Sequence, residues 1–592
     1  VKVKNILFFL CLISLTATTM AQDLPTWPQK IDDALWAKMT SQPEQLPFLV
    51  LMNEQAPLPQ AGQLKKKEQK ADYVFTQLKQ TAAASQADLI SFLQEQRAEW
   101  QSFFIVNLLA VTGSPELLQT IARRDDVAQI LDNATYRMLA PLDAALETSP
   151  QSRSLVEWGL ERINADDVWA LGYRGQGVVI GGQDTGYDWE HPALKPSYRG
   201  YDAASDEADH NYNWHDAIHS YSPLNSDTLN PCGLDSPVPC DDNFHGTHTM
   251  GTMTGLDGSN VIGVAPESRW CACRNMERGW GSASTYLECF QWFLAPTSLD
   301  GQNPDPSKAP HVINNSWYCP EVEGCNPSNF ALMDQAIDNL RAAGTVVVVS
   351  AGNSGSECSS VSAPAAMYEG SFSVGATAQN DTIAGFSSRG PVLVDGSGRM
   401  KPNVAAPGVG VRSAIPNGGY ASFSGTSMAG PHVAGLVALI ISANPELAGQ
   451  VQLIEEIIQQ TAVPKTTNQT CGNVPGSQVP NHTYGFGRVD ALAAVEAALE
   501  SVNSTIGTAA PASLQVFPNP SSGQLFVKAE NCSGNIRFLL YDLNGRLVFS
   551  HNDISAGSGA TALPGLDNQP AGIYFYRAFA GTDSWSGKII LE

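Results

Sequence analysis

Residues 311–316 and 346–349 read as two short strands, and between them Phe330, Met333, Ile337 and Leu340 recur at helical spacing. Gly344 stands where a helix would need a left-handed stop. A strand, a helix and a second strand in that order make a crossover, so both strands run parallel and end on one side of a sheet. Val178, Val179 and Ile180 form another buried run, immediately before a turn. The stretch from 151 to 500 is therefore expected to be an α/β domain: a mostly parallel sheet flanked by helices, with its chemistry at the C-terminal ends of the strands.

The rest of the 592 residues falls on either side of that domain. Residues 22–150 alternate strand-like runs (47–52, 103–111) with helical spacing (71–96, 115–124), which predicts a small α+β unit. It holds no nucleophile constellation, so its expected task is structural or regulatory. Residues 501–512 are small and polar and read as a linker. Beyond them, short β-like runs at 514–517, 525–528, 536–541, 546–550, 573–577 and 586–591 predict an antiparallel sandwich over 513–592.

Composition narrows the function classes. Lys plus Arg is 34 against 58 Asp plus Glu, a net charge of -24, so no broad basic face for nucleic acid can be assembled. Only 16% of residues are charged while 43% are hydrophobic, which fits sizeable cores and not a disordered chain. Lys2 and Lys4 precede an apolar run at 6–15, and Thr19-Met20-Ala21 offers small residues around a cut before Gln22, the pattern of a signal peptide over 1–21. Export permits disulfides, so Cys232 with Cys240, Cys319 with Cys325, and Cys273 with Cys289 are the expected pairings. A zinc cluster at Cys271-Ala272-Cys273 lacks a matching second pair.

Three segments of the central domain carry groups suited to acyl transfer. Gly182-Gln183-Asp184-Thr185-Gly186 follows the first strand, and Phe244-His245-Gly246-Thr247-His248 adjoins a glycine-rich helix start. Ser424-Gly425-Thr426-Ser427-Met428-Ala429-Gly430-Pro431-His432 opens an apolar helix. A serine hydroxyl is a weak nucleophile near neutral pH; it needs an imidazole to take its proton and a carboxylate to fix that imidazole's tautomer. Other chemistries fit less well. An aspartic protease needs two carboxylates sharing a proton, and only one Asp-Thr-Gly triplet is present. His245 and His248 lack a third metal ligand or an H-E-x-x-H pattern, which leaves His248 as a packing partner near the site. An α/β-hydrolase elbow would require another chain order.

With these motifs in the order Asp, His, Ser, the central domain resembles the subtilisin-like serine proteases, the subtilases. Ser350-Ala351-Gly352-Asn353-Ser354-Gly355, Phe386-Ser387-Ser388-Arg389-Gly390-Pro391, Pro402-Asn403-Val404-Ala405-Ala406-Pro407-Gly408 and Gly485-Phe486-Gly487-Arg488-Val489 extend the resemblance. Ile313-Asn314-Asn315-Ser316-Trp317 and Ala272-Cys273-Arg274-Asn275-Met276 are similar to the bacillopeptidase F-like branch. The resemblance implies a secreted serine endopeptidase acting on protein or peptide substrates through an acyl-enzyme. Asp184 would orient His245, His245 would act as base and then acid, Ser427 would attack, and Asn353 would donate to the oxyanion. Ser316, Trp317 and Tyr318 would bind an extended substrate as an added strand, with Trp317 a candidate wall for the residue preceding the cut bond. Activity should rise with pH as His245 loses its proton, near about 6.5 for an ordinary imidazole.

The resemblance also implies that residues 22–150 are a propeptide that blocks the cleft as an intramolecular inhibitor until self-cleaved. No cofactor is needed for the chemistry, and calcium is a stabiliser that the acidic stretch between Asp184 and His245 could take. Asn403 stands where the family commonly has Asp, and Thr249-Met250 where Val-Ala is usual. Val516-Phe517-Pro518-Asn519-Pro520, Leu540-Tyr541-Asp542-Leu543-Asn544-Gly545-Arg546 and Pro570-Ala571-Gly572-Ile573-Tyr574 resemble the C-terminal sorting domain of type IX secretion. That implies the corresponding secretion machinery as a partner and passage through the periplasm and outer membrane to the medium or the cell surface. The competing expectation is a catalytically silent subtilase fold serving as a surface or adhesion module.

Overall fold

The computed structural model describes residues 27–41, 44–146, 156–226, 229–504 and, with short interruptions, 513–591. The expected signal peptide, the boundary expected at 150 and most of the expected linker lie outside them. Two units separate, Val1–Leu499 and Glu500–Glu592.

The core of the larger unit is a seven-stranded parallel sheet in the order Trp214–Asp216, Arg269–Arg274, Val179–Asp184, Val312–Asn315, Val346–Ser350, Phe372–Thr377, Val404–Pro407. The central strands are buried on both faces, which is why they read as continuous runs with no polar alternation. Val312 pairs with Ile180 on one side and Val346 on the other, and the helix Phe330–Ala342 makes the crossover. Gly344 ends it with φ 90°, the left-handed stop expected from the sequence. The helices His245–Thr254 and Thr426–Ala443 are buried, and both begin at the sheet edge where Val179–Asp184 ends.

The leading segment forms a four-stranded antiparallel sheet, Glu99–Phe103, Leu108–Gly113, Leu46–Met52, Val127–Asp132, covered by helices. Two expectations shift here. The helical stretch 71–96 is two helices, Lys67–Ser85 and Ala87–Gln96, hinged at Gln86, whose side chain donates to Phe103 O and Asn107 Oδ1. The apolar run 103–111 is a hairpin, not one strand: residues 104–107 turn while staying buried. A buried turn must find partners for its backbone. Gln291 Oε1 accepts from Phe104 N at 2.6 Å, and Asn339 Nδ2 donates to Ile105 O at 2.6 Å, both from helices of the following domain.

All three expected disulfides form, and a fourth, Cys358–Cys471, closes 113 residues of sequence. A loop of that length is worth on the order of 4–5 kcal/mol in unfolded-state entropy. Cys271 is a buried free thiol, and its neighbour Cys273 is bonded to Cys289, so the C-x-C pair holds no metal.

In the smaller unit, Ser513–Phe517, Leu525–Glu530 and Thr561–Leu563 form one sheet, and Leu547–Ser555, Asn535–Tyr541, Gly572–Ala580 and Asp583–Leu591 another. Leu525, Val527, Ile536, Phe538 and Leu540 alternate into a common core, as the sandwich expectation requires. Thr561–Leu563 is too short to leave a periodic signal and was not anticipated. The helix Ala491–Ser504 runs into the stretch expected as linker, because its Ala-, Leu- and Glu-rich turns outweigh the small polar residues that follow.

Candidate active site

Asp184 is the last residue of the Val179–Asp184 strand, His245 the first of its helix, and Ser427 the second residue of the Thr426–Ala443 helix. His245 Nδ1 lies 2.8 and 2.9 Å from the two oxygens of Asp184, and both side chains are buried. The approach depends on glycine. A Cβ on Gly246 would stand 2.1 Å from Gly186 O and 3.1 Å from Asp184 Cβ, so any larger residue would push the helix off the carboxylate.

A further acid, which the motifs did not reveal, braces this pair. Asp241 accepts from Thr185 Oγ1 at 2.8 Å, from Thr247 N at 3.0 Å and from Thr247 Oγ1 at 2.6 Å. It therefore ties the residue after Asp184 to the helix that carries His245. Burial pushes the Asp241 carboxyl up to about 6, against the hydrogen bonds from Thr247, Asn243 and Thr185. His245 is pulled in opposite directions. Burial, the largest influence, lowers it, but the charge and hydrogen bond of Asp184, with Asp241 and the Leu139 carbonyl, leave it raised above an ordinary imidazole. His248 packs as expected: it is stacked on Phe423 at 4.4 Å, its Nε2 lies 3.1 Å from Ala421 O, and burial pushes it down to about 3.

His245 Nε2 and Asn353 Nδ2 are buried with no hydrogen-bond partner among the described residues. Asn353 is held by its other end, where Oδ1 accepts from Thr426 N and Oγ1, each at 2.9 Å. Ser427 Oγ donates to the carbonyl of Leu139 at 3.1 Å. Ser427 also stands at a helix N-terminus, where the dipole favours negative charge. The Ser427 hydroxyl thus meets a peptide carbonyl, and Asn353 lines the same cavity as Leu139.

That carbonyl arrives on a strand. Thr135–Met138 lies antiparallel between Trp280–Ser282 and Trp317–Tyr318, completing a three-stranded sheet. Met138 N donates to Gly279 O, and Leu139 N to Ser316 O, each at 3.0 Å. Past the cleft, Leu142–Leu146 adds to the strand Gly419–Ser424. Ser316 takes part through its carbonyl, while its hydroxyl turns inward to Ser350 Oγ at 3.1 Å. The ring of Trp317 meets Tyr136 at 5.2 Å and Tyr286 at 4.5 Å. Tyr136, Leu139, Trp280 and Tyr286 escaped sequence reasoning because no local pattern links them.

The acidic stretch between Asp184 and His245 is engaged within the protein. Asp216 takes Arg274 through two bonds, Asp235 takes His219, and Asp242 binds Asn230 and Arg274. Among the described residues no group of three or more His, Cys, Asp or Glu side chains is arranged to hold a metal ion. The unusual Asn403 accepts from Ser373 N and from the buried Lys401 Nζ, each at 2.9 Å.

The sequence matches known families over both units. The pattern of the subtilase family matches residues 175–487, and that of a secretion system C-terminal sorting domain matches residues 515–592. The chain belongs to the subtilase family of serine proteases, whose catalysis needs no cofactor, and its sorting domain implies secretion or a cell-surface location. It is 36% identical over 456 residues to bacillopeptidase F of Bacillus subtilis (strain 168), covering 74% of this chain but 29% of that protein's length. Identity is 30% over 412 residues to M-protease of Shouchella clausii (strain KSM-K16), covering 69% of this chain and 85% of that protein. It is 35% over 302 residues to subtilisin DY of Bacillus licheniformis, covering 50% and 89%.

Proposed function

We propose that the chain is the zymogen of a secreted serine endopeptidase that cuts its own Leu139–Ala140 bond. The observation that carries this reading is the Leu139 carbonyl, 3.1 Å from Ser427 Oγ on a strand whose register is held at Ser316 O. His245, oriented by Asp184, takes the Ser427 proton through Nε2 as Oγ bonds to the Leu139 carbon. The negative charge that develops on the carbonyl oxygen is met by Asn353 Nδ2, a buried donor with no partner among the described residues. The carbon–nitrogen bond then breaks and His245 returns the proton to Ala140 N. Water, activated by the same imidazole, hydrolyses the acyl-enzyme and restores Ser427.

In this reading residues 22–139 are the propeptide, shorter than the 22–150 expected from the strand and helix pattern and the resemblance, and the peptidase begins at Ala140. The propeptide inhibits by occupying the cleft as a substrate would. The sorting domain, 513–592, directs a second export step through type IX machinery. Purified wild-type protein should yield a species with Ala140 at its N-terminus that reacts with a fluorophosphonate, whereas Ser427→Ala should stay uncut and unlabelled. Processing of Ser427→Ala in a protease-free host would overturn the reading.

A further inference from the structure

In an extended strand, successive side chains point to opposite faces. Tyr136 is buried, so Arg137 should turn toward water with nothing to hold it. Its guanidinium is instead engaged on several sides. Nε lies 2.9 Å from Glu323 Oε1, and the guanidinium carbon lies 4.7 Å from the Tyr318 ring centroid and 5.8 Å from that of Trp280. Trp280 and Tyr318 are the very residues that face Arg137 across the two ladders. Strand register therefore brings both rings to whichever side chain stands at this position.

Glu323 belongs to the one-turn helix Glu321–Glu323, inside the loop that the Cys319–Cys325 bridge closes. Its side chain is only 10% exposed, and Oε2 is buried with no partner among the described residues. Burial, the larger influence, leaves the Glu323 carboxyl raised above its ordinary value, and the charge of Arg137 opposes it. A carboxylate mostly withdrawn from water, with one oxygen unspent, is costly until a cation meets it. Arg278 lines a cavity together with Arg137, Trp280 and Tyr318, but its Nε lies 2.6 Å from Glu277 Oε1 and so neutralises a different acid.

We infer that Glu323, Tyr318 and Trp280 form a cation-recognising subsite that selects arginine at the third residue before the cleaved bond, in polypeptide substrates as in the propeptide. Arginine fits better than lysine because a flat guanidinium stacks on rings while its edge bonds a carboxylate. The inference rests on the protease reading above, and its test separates the two.

Processed full-chain enzyme is offered internally quenched peptides containing Tyr-Arg-Met-Leu-Ala-Pro-Leu, with the Arg kept or replaced by Lys, Gln or Glu. Fluorophosphonate labelling of Ser427, which does not use this subsite, corrects each variant for its folded fraction. The Arg peptide should exceed the Gln peptide about tenfold in kcat/KM, with Lys between them and Glu lowest. In Glu323→Gln the Arg-to-Gln ratio should collapse toward one, and Tyr318→Leu should lower it in part. Equal cleavage of the Arg and Gln peptides, or an undiminished ratio in Glu323→Gln, overturns the inference and leaves the protease reading standing. An enzyme that neither labels nor cuts any peptide overturns both.

Discussion

The leading segment touches the catalytic domain in two ways. Its folded body is held by side chains: Lys67 Nζ on Ala309 O at 2.7 Å, Lys70 Nζ on Gly449 O at 2.6 Å, and Gln101 on Glu288 at 2.7 Å. Phe104, Ile105 and Val106 share one apolar core with Phe290, Met333 and Ile337. The tail, 135–139, is held chiefly by backbone bonds to Gly279 and Ser316 and by ladder pairing. A backbone ladder accepts any extended chain and leaves selection to pockets, whereas the body's contacts require these particular residues on both partners. On the proposed reading the tail is replaceable by substrate, and the body, a dedicated partner, is expected to stay bound after the Leu139–Ala140 bond is cut.

The sharpest way to break this contrast is Ser427→Ala, which should lower turnover by about 10⁴- to 10⁶-fold. Intact mass should then report Leu139 still joined to Ala140, the leading segment and the peptidase in one chain. Asn353→Ala should cost about 100- to 1000-fold in kcat with little change in KM, read on a peptide substrate. Tyr136→Ala empties the aromatic box of Trp317 and Tyr286 and should slow self-cleavage about tenfold; a time course of the Ala140 N-terminus measures it. The same change should leave affinity of the body for the mature enzyme far less affected.

Two pH effects refine the comparison. Burial pushes Lys67 down to about 8, the carboxylate of Glu68 opposing. An exposed lysine titrates near 10.4, so the docked body binds fewer protons than the released one between those values, and binding should strengthen as pH rises from about 8 to 10.4. Calorimetry of the released body with the enzyme checks this, and Lys67→Met should flatten the slope. The smallest effect concerns His245. Its pKa is raised despite burial, and a base must be neutral to act, so the acid limb of kcat/KM should lie above the ordinary imidazole value. A limb at or below about 6.5 would mean that Asp184 does not hold its charge against that ring.

Much of the site was legible because its signals are local. Asp184 follows a buried strand, His245 precedes the glycine that a tight approach demands, and Ser427 opens an apolar helix. Each pattern occupies a few adjacent residues. The misreadings share the opposite cause. The run 103–111 looked like one strand because the partners of its turn, Gln291 and Asn339, come from another domain. The contact of Trp317 with Tyr136 had no signal either, because nothing near Trp317 in the chain announces that ring.

The parallel sheet follows from periodicity, the three short-range disulfides were expected from cysteines close in the chain, and Asp184, His245 and Ser427 stand out through local motifs that resemble a family, all signals carried by near neighbours. Which peptide lies across the serine, which cysteine meets Cys358, and which acid faces Arg137 follow from packing. Ser427 and Leu139 are 288 positions apart, and only the assembled sheet, which sets strand register across that distance, brings one to the other.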